Sequence, residues 1–226
     1  MFDFEMRINE NVLLAGNRVV LVPYTRAHVP RYHVCVFRYH VWMQSPELQT
    51  LTASEPLSLQ QEYDMQTSWS QDEDKLTFIL LSSELWSDPS VPEEQCMMGD
   101  ANLFVTDPTD TSKAELEVMI AEPQFRGRGI GTEVVFILMS YAVSKLGIMR
   151  FQVKIGLGNL ISINMFKKLR FTEVSTCRVF NEVTMELEVD PSVRTWILDQ
   201  TSKVQERDYG SERAARTKTE AGLKQD

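Results

Sequence analysis

The chain has 226 residues, of which 43% are hydrophobic and 24% charged, and its formal net charge is −9. That is enough apolar material for one well-buried domain, and the acidic balance argues against general binding to nucleic acid or to anionic membranes, both of which call for excess Lys and Arg. Three widely spaced cysteines without a Cys-x-x-Cys, no run near the roughly 18–20 apolar residues of a membrane span, and an acidic first five residues together predict a reduced, cytoplasmic protein with no leader.

Residues 18–24 (RVVLVPY) are short and Val-rich and predict a first strand, ended by Pro23. Residues 27–43 predict an untidy helical stretch. It contains an internal repeat, Arg31-Tyr-His-Val34 returning as Arg38-Tyr-His-Val41, too short for a solenoid unit and read as a local duplication or splice product. Ser58 followed by Gln61 is a helix start signal, with Leu59, Tyr63, Met65, Gln66 and Trp69 forming a rough apolar face. Residues 76–81 predict a strand, 87–94 a loop, and 97–105 a strand with Gly99 as a candidate bulge. In 115–121 (ELEVMIA), Leu116, Val118 and Ile120 alternate with Glu115, Glu117 and Met119, the period of a strand. After a glycine-rich loop, 132–146 carries Val135, Leu138, Ala142 and Leu146 at helical spacing, stopped by Gly147. A strand (149–155), a short helix (162–169), two strands within 171–189 and a last helix (196–204) follow. Residues 203–226 are polar and mixed in charge, which predicts a disordered tail on a 1–202 domain. The order of elements predicts an α/β (α+β) fold, a mixed central sheet flanked by helices.

The sharpest feature is Arg126-Gly-Arg-Gly-Ile-Gly-Thr132, directly after one strand and directly before a helix. Glycines let the backbone turn tightly and bring its N–H groups close to a ligand. The following helix adds unpaired N–H groups and the positive end of its dipole, which together favour an anion. A Walker A loop needs a Gly-Lys-Ser/Thr ending, and a dinucleotide fingerprint needs its third glycine one residue later and an acid about twenty residues on. Neither is present. What fits is a diphosphate held mainly by backbone, as in coenzyme A. The competing reading is an ordinary tight turn with solvated arginines.

At this loop the chain resembles a known family. Gln/Arg-x-x-Gly-x-Gly/Ala between a strand and a helix is the acetyl-CoA motif of the GNAT superfamily, and Arg126 to Gly131 fits it, as does Gln124 to Gly129. Downstream, the stretch from Asn159 to Phe171 resembles the family's Asn-x-x-Ser/Ala-x-x-Leu/Met-Tyr/Phe-x-Lys-x-Gly-Phe. The resemblance implies the GNAT fold with acetyl-CoA as acetyl donor, and no metal. It implies donor contacts from Val118 and Ile120, and from Arg126, Gly127, Arg128, Gly129, Ile130, Gly131 and Thr132 in the loop. Asn159 would meet the pantetheine arm, Ser162 and Phe166 would line it, and Lys168 would approach the phosphates. Stretches at 18–24, 51–56 and 117–123 look like a eukaryotic protein N-acetyltransferase group of this superfamily, a likeness spanning about residues 6–205. It implies a protein amine as acceptor, such as the N-terminus of α/β-tubulin. Three features depart from the pattern: the chain begins before Met6, one copy of the repeat near Cys35 is an insertion, and Arg170 replaces the usual glycine before Phe171.

The implied reaction is attack of a free amine on an acetyl thioester. An α-amino group, with a pKa near 7.7–8.0, needs little help to lose its proton, whereas a lysine needs far more. Glu117 is the first candidate for the base and Glu115 the second; the competing reading is that both are paired or solvent-facing. A backbone N–H of strand 117–120 is the candidate oxyanion donor. Many members place a tyrosine where this chain has Phe166, which cannot donate a proton. His28, His33 and His40 have no cysteine at ligand spacing and read as structural. Two other functions stay open: a catalytically weak domain that binds microtubules, and an acetyltransferase for small-molecule amines.

Overall fold

The computed structural model describes residues 9–29, 38–52 and 54–223. The strands are Val12–Ala15 (β1), Val19–Pro23 (β2), Lys75–Ser82 (β3), Met97–Phe104 (β4), Lys113–Ile120 (β5), Arg150–Gly156 (β6), Thr172–Cys177 (β7), Glu182–Glu188 (β8) and Gln205–Asp208 (β9). They form one sheet in the order β7-β8-β6-β5-β4-β3-β2-β1-β9, in which β5 and β6 are the parallel pair and the other neighbours are antiparallel. The helices are Arg38–Met43 (α1), Pro46–Thr52 (α2), Leu59–Gln71 (α3), Ser83–Trp86 (α4), Glu93–Cys96 (α5), Ile130–Tyr141 (α6), Leu160–Lys168 (α7), Pro191–Gln200 (α8) and Tyr209–Leu223 (α9).

Strand alternation sorts the side chains into two layers. Leu76, Phe78, Leu103, Leu116, Phe151 and Val153 face the back, where Val134, Val135 and Leu138 of α6 and Ile197 of α8 cover them. Val20, Val22, Ile79 and Leu81 face the front, beneath Tyr24, Tyr39 and Trp42. The ring centroids of Tyr24 and Tyr39 stand 5.3 Å apart, and those of Tyr39 and Trp42 6.1 Å.

The capping box at α3 forms as the sequence predicts: Ser58 Oγ accepts from the Gln61 N–H, and the Gln61 side chain accepts from the Ser58 N–H. Gly147 ends the turns after α6 at φ 70°. The predicted bulge is present: Leu80 faces Gly99 and Leu81 faces Met97, so Met98 is the extra residue. Gly99 is obligatory there, because a Cβ would stand 1.8 Å from the carbonyl oxygen of Met119. Arg170 makes the bend before Phe171 at φ 68°, with its guanidinium 4.0 Å above the ring centroid of Trp196. The cation–π contact offsets part of the left-handed strain.

Three expectations need correction. The strand β1, before the predicted first strand, was not read from the sequence. It is short and gains its place through pairing with both β2 and β9. The helix placed at 196–204 starts earlier, at Pro191, capped by Asp190 Oδ1, which accepts from the N–H groups of Ser192 and Val193 at 2.8 Å each. The tail predicted to be disordered from Lys203 supplies β9 and α9, held by polar contacts that hydropathy does not report. Tyr209 is buried and its hydroxyl donates to Glu93 at 2.6 Å. The guanidinium of Arg216 donates to the carbonyls of Trp86, Asp88 and Val91. Residues 30–37 of the stretch predicted as helix over 27–43, with the first repeat copy, His33 and Cys35, lie outside the described residues.

Candidate active site

The parallel pair β5–β6 touches over three residues: Lys113, Ala114 and Glu115 against Arg150, Phe151 and Gln152. On its other side β5 stays paired with β4 up to Ile120, and β6 stays paired with β8 up to Gly156. The sheet therefore parts into two halves beyond Glu115, leaving a wedge between β5 and β6. The Arg150 N–H donates to the Ser112 carbonyl. Because successive residues of a strand point their backbone groups to opposite sides, Leu116, Val118 and Ile120 aim theirs into the wedge. The Ile120 carbonyl is taken by Arg126 Nε at 2.8 Å. The N–H and C=O of Val118 face the gap, and Glu117 and Met119 turn theirs toward β4.

The glycine loop closes the open end of the wedge. Gly127 and Gly129 adopt φ of 71° and 76°, values that L side chains rarely take, and α6 begins at Ile130 with its first N–H groups turned toward this corner. A β-carbon on Gly131 would stand 3.4 Å from Met165 Sδ and 4.0 Å from Ile120 Cγ1. The two sequence motifs and the end of β5 thus meet at one point. Such a cradle of unpaired N–H groups at a helix start fits a diphosphate, and the polar backbone of the wedge fits an amide-bearing arm.

Two residues that the sequence left unremarked build this corner. Glu133, in the first turn of α6, accepts from the N–H of Asn17 (2.6 Å) and of Arg18 (3.0 Å), fastening the β1–β2 hairpin to the helix. Arg18 in turn donates from Nε to Glu133 at 3.0 Å and from Nη1 to the Arg128 carbonyl at 2.6 Å, bracing the loop from behind. Neither carries a local signal, since each acts across more than a hundred residues.

The predicted arginines behave differently from each other. The resemblance implies a donor contact from Arg126, but its guanidinium is committed to the Ile120 and Ala121 carbonyls and to Glu47 at 2.7 Å. It anchors the loop. Arg128 is exposed. Asn159 caps α7, its Oδ1 accepting from the Ser162 N–H at 3.1 Å; Ser162 and Thr132 are half-buried and Lys168 is exposed. Phe166 is buried and packs edge-on against Phe171 at 5.0 Å, so Met165 rather than Phe166 reaches the mouth.

The two candidate bases also part company. Glu115 is buried and accepts from Lys154 Nζ at 2.6 Å and from Gln152 Nε2 at 3.1 Å, which ties β5 to β6 just where they separate. Glu117 reaches solvent on the front face at the root of the wedge. Its setting is concave enough that desolvation raises its pKa above the ordinary glutamate value, with Lys75 opposing. Beside it runs a buried polar chain: Thr77 Oγ1 donates to Asn102 Oδ1 (2.8 Å), and Asn102 Nδ2 donates to Asp100 Oδ2 (3.0 Å). Burial, and then the charge of Glu117, lift Asp100 to about 7. His28 and His40 are occupied structurally: His28 Nε2 lies 2.8 Å from Glu93, and His40 Nδ1 2.8 Å from Glu62.

Residues 18–172 match the Acetyltransferase (GNAT) domain family. The chain belongs to the GNAT acetyltransferase family. It is 56% identical over 205 residues to the human alpha/beta-tubulin-N-acetyltransferase 9, covering 90% of this chain and 96% of the relative. The Drosophila melanogaster protein of that name is 42% identical, covering 85% and 94%. Among solved structures, the spermidine N-acetyltransferase of Vibrio cholerae in complex with CoA and spermine superposes with a TM-score of 0.62 at 13% identity, over 76% of this chain and 95% of that one. A ribosomal L7/L12 alpha-N-protein acetyltransferase in complex with coenzyme A gives 0.61 at 15% identity, over 77% and 96%. These two likenesses concern the fold. With its GNAT domain and its named relatives, the protein is an acetyl-CoA-dependent N-acetyltransferase.

Proposed function

We propose that this GNAT protein acetylates the α-amine of a protein N-terminus, with α/β-tubulin as the acceptor, in the cytoplasm. The observation that carries the reading is Glu117, a solvent-reached carboxylate with a raised pKa at the root of the wedge. Such a group removes one proton from an α-ammonium, whose pKa near 7.7–8.0 leaves little work, and is poorly matched to a lysine. The relatives named for tubulin N-acetylation supply the acceptor. Among the described residues, no helix is long and apolar enough to cross a membrane.

Acetyl-CoA, when bound, supplies a thioester whose carbonyl carbon is open to a neutral amine. The protein's residues do the rest. Loop and helix N–H groups from Gly127 to Thr132 would hold the diphosphate, Val118 would offer its N–H and C=O to the arm or its N–H alone to the developing oxyanion, and Asn159 and Ser162 would flank it. Glu117 orients and deprotonates the acceptor. Position 166 is phenylalanine and gives no proton to the departing sulfur, so water or no donor serves.

The test is a competition. The protein, acetyl-CoA, a tubulin N-terminal peptide, the same peptide with a blocked N-terminus, and spermidine are incubated together and the products mapped by mass. Acetylation of the free α-amine alone is the expected result. Acetyl-spermidine as the main product, or lysine acetylation of the blocked peptide, would replace this reading with a small-molecule or lysine acetyltransferase.

A further inference from the structure

Asp100 lies in the middle of β4 and is 5% exposed. Its Oδ2 takes the Asn102 bond, and its Oδ1 has no hydrogen-bond partner among the described residues. A buried carboxylate oxygen without a donor costs stability, and the site would accept an asparagine of the same shape. Asp100 pairs with Met119 and Asn102 pairs with Glu117, so the register puts Asp100 and Glu117 on the same face, one diagonal step apart. Asp100 is short, but Glu117 is long enough to cover that step, and its charge acts on Asp100. The charged and titratable groups around Asp100 come from every packed element: Lys75 of β3, Glu117 of β5, Tyr24 after β2 and Tyr39 of α1, with Glu62 of α3 beyond the tyrosines.

We propose that Asp100 holds the proton that Glu117 removes from the acceptor amine, the two carboxylates working as one base across the β4–β5 diagonal. The proposal rests on the reading of Glu117 given above. One N–H bond of the acceptor ammonium breaks as an O–H bond forms on Glu117. That O–H then breaks as an O–H forms on Asp100, so Glu117 is again a carboxylate. The positive charge lost by the acceptor matches the negative charge lost by Asp100. After the product departs, the proton returns through Glu117 to water. The burial that penalises a charged Asp100 favours its protonated form, and with a pKa of about 7 it both accepts and releases at neutral pH. As a group acting through Glu117, Asp100 is a proton-holding residue and not a contact of the substrate.

The test uses the full chain and a tubulin N-terminal peptide. kcat is followed against pH for wild type, Asp100→Asn and Glu117→Gln, with acetyl-CoA affinity measured for each. Asp100→Asn keeps the shape and the Asn102 bond, so affinity for acetyl-CoA should hold. Its kcat should fall about tenfold. Its acid limb should move about one unit or more lower, because the limb no longer requires Asp100 to lose its proton and reports Glu117 alone. Its Tm should also exceed that of wild type at pH 8 and approach it at pH 5. The sign follows from the raised pKa: folded wild type keeps a proton that the unfolded chain releases above about 4, so its stability falls as pH climbs toward 7. An acid limb that stays in place with kcat within about twofold would overturn the proposal. Should Glu117→Gln itself keep the wild-type rate, the reading of Glu117 fails, and the paired base with it. Loss in Glu117→Gln beside an unmoved Asp100→Asn profile removes Asp100 alone.

Discussion

Replacing Glu117 by glutamine is expected to lower kcat by roughly 10²–10⁴, the range a positioned general base contributes, while acetyl-CoA affinity stays at the wild-type value. Glutamine keeps the size and the polar tip of the side chain but cannot take a proton. In the proposed site the donor is held elsewhere, by the loop from Gly127 to Thr132 and by the backbone of Val118, so its binding should not respond. Glu115→Gln is the internal contrast. That carboxylate is buried on Lys154 and Gln152, and removing its charge leaves the ammonium of Lys154 with a neutral partner. Its effect should appear as lost stability at the junction of β5 and β6, with kcat altered less than in Glu117→Gln. Steady-state kinetics beside isothermal titration with acetyl-CoA separates the two. Equal kcat in wild type and Glu117→Gln would remove Glu117 from the chemistry.

Gly99→Ala is expected to be the most damaging small substitution in the sheet. A Cβ at this position meets the Met119 carbonyl oxygen at 1.8 Å and the Ala121 nitrogen at 3.2 Å. Both are backbone atoms of the segment that leads into the glycine loop, so relief requires β4 and β5 to move apart. Their separation would break the register that sets Asn102 opposite Glu117 and would disturb the carbonyl of Met98, which accepts from the N–H groups of Ala121 and Glu122 at 2.8 and 3.1 Å. A loss of about 4 kcal/mol or more places it among the exceptional single substitutions. Urea unfolding followed by far-ultraviolet circular dichroism measures it, and a loss below about 1 kcal/mol would show that the strands yield easily there.

The parts of this fold that were legible in the sequence are those written locally. Ser58 and Gln61 announce α3 because a capping box closes within one turn. The loop from Arg126 to Thr132 announces an anion site because glycines and a helix start adjoin in the chain. The alternation of Leu116 and Val118 with Glu115 and Glu117 announces β5 and its two faces. What could not be read is what depends on distant partners. The wedge exists because β5 and β6 pair over three residues and then diverge, a property of two segments and of neither alone. Asp100 stayed hidden because the bulge at Met98 shifts the strand's phase, so that Met97 and Asp100, three residues apart, share the front layer. Arg18 and Glu133 carry no local signal because each acts across more than a hundred residues. The tail beyond Lys203 has few large apolar residues, yet through residue 223 it joins the fold by β9 pairing with β1 and by Arg216 on three carbonyls, interactions that a hydropathy reading does not weigh.

In the proposed mechanism the donor lies in the wedge between β5 and β6, with the acceptor amine meeting it at the front. Amide hydrogen exchange, residue by residue, with and without coenzyme A tests this most directly. The Val118 N–H faces the wedge and should exchange quickly alone and slowly with coenzyme A, as should the amides from Gly127 to Thr132. The amides of Glu117 and Met119 face β4 and should be slow in both conditions, which provides the control within the same strand. Slowing at Val118 and the loop together is the predicted result. An unchanged Val118 amide while coenzyme A binds would place the donor outside the wedge and overturn the proposed site.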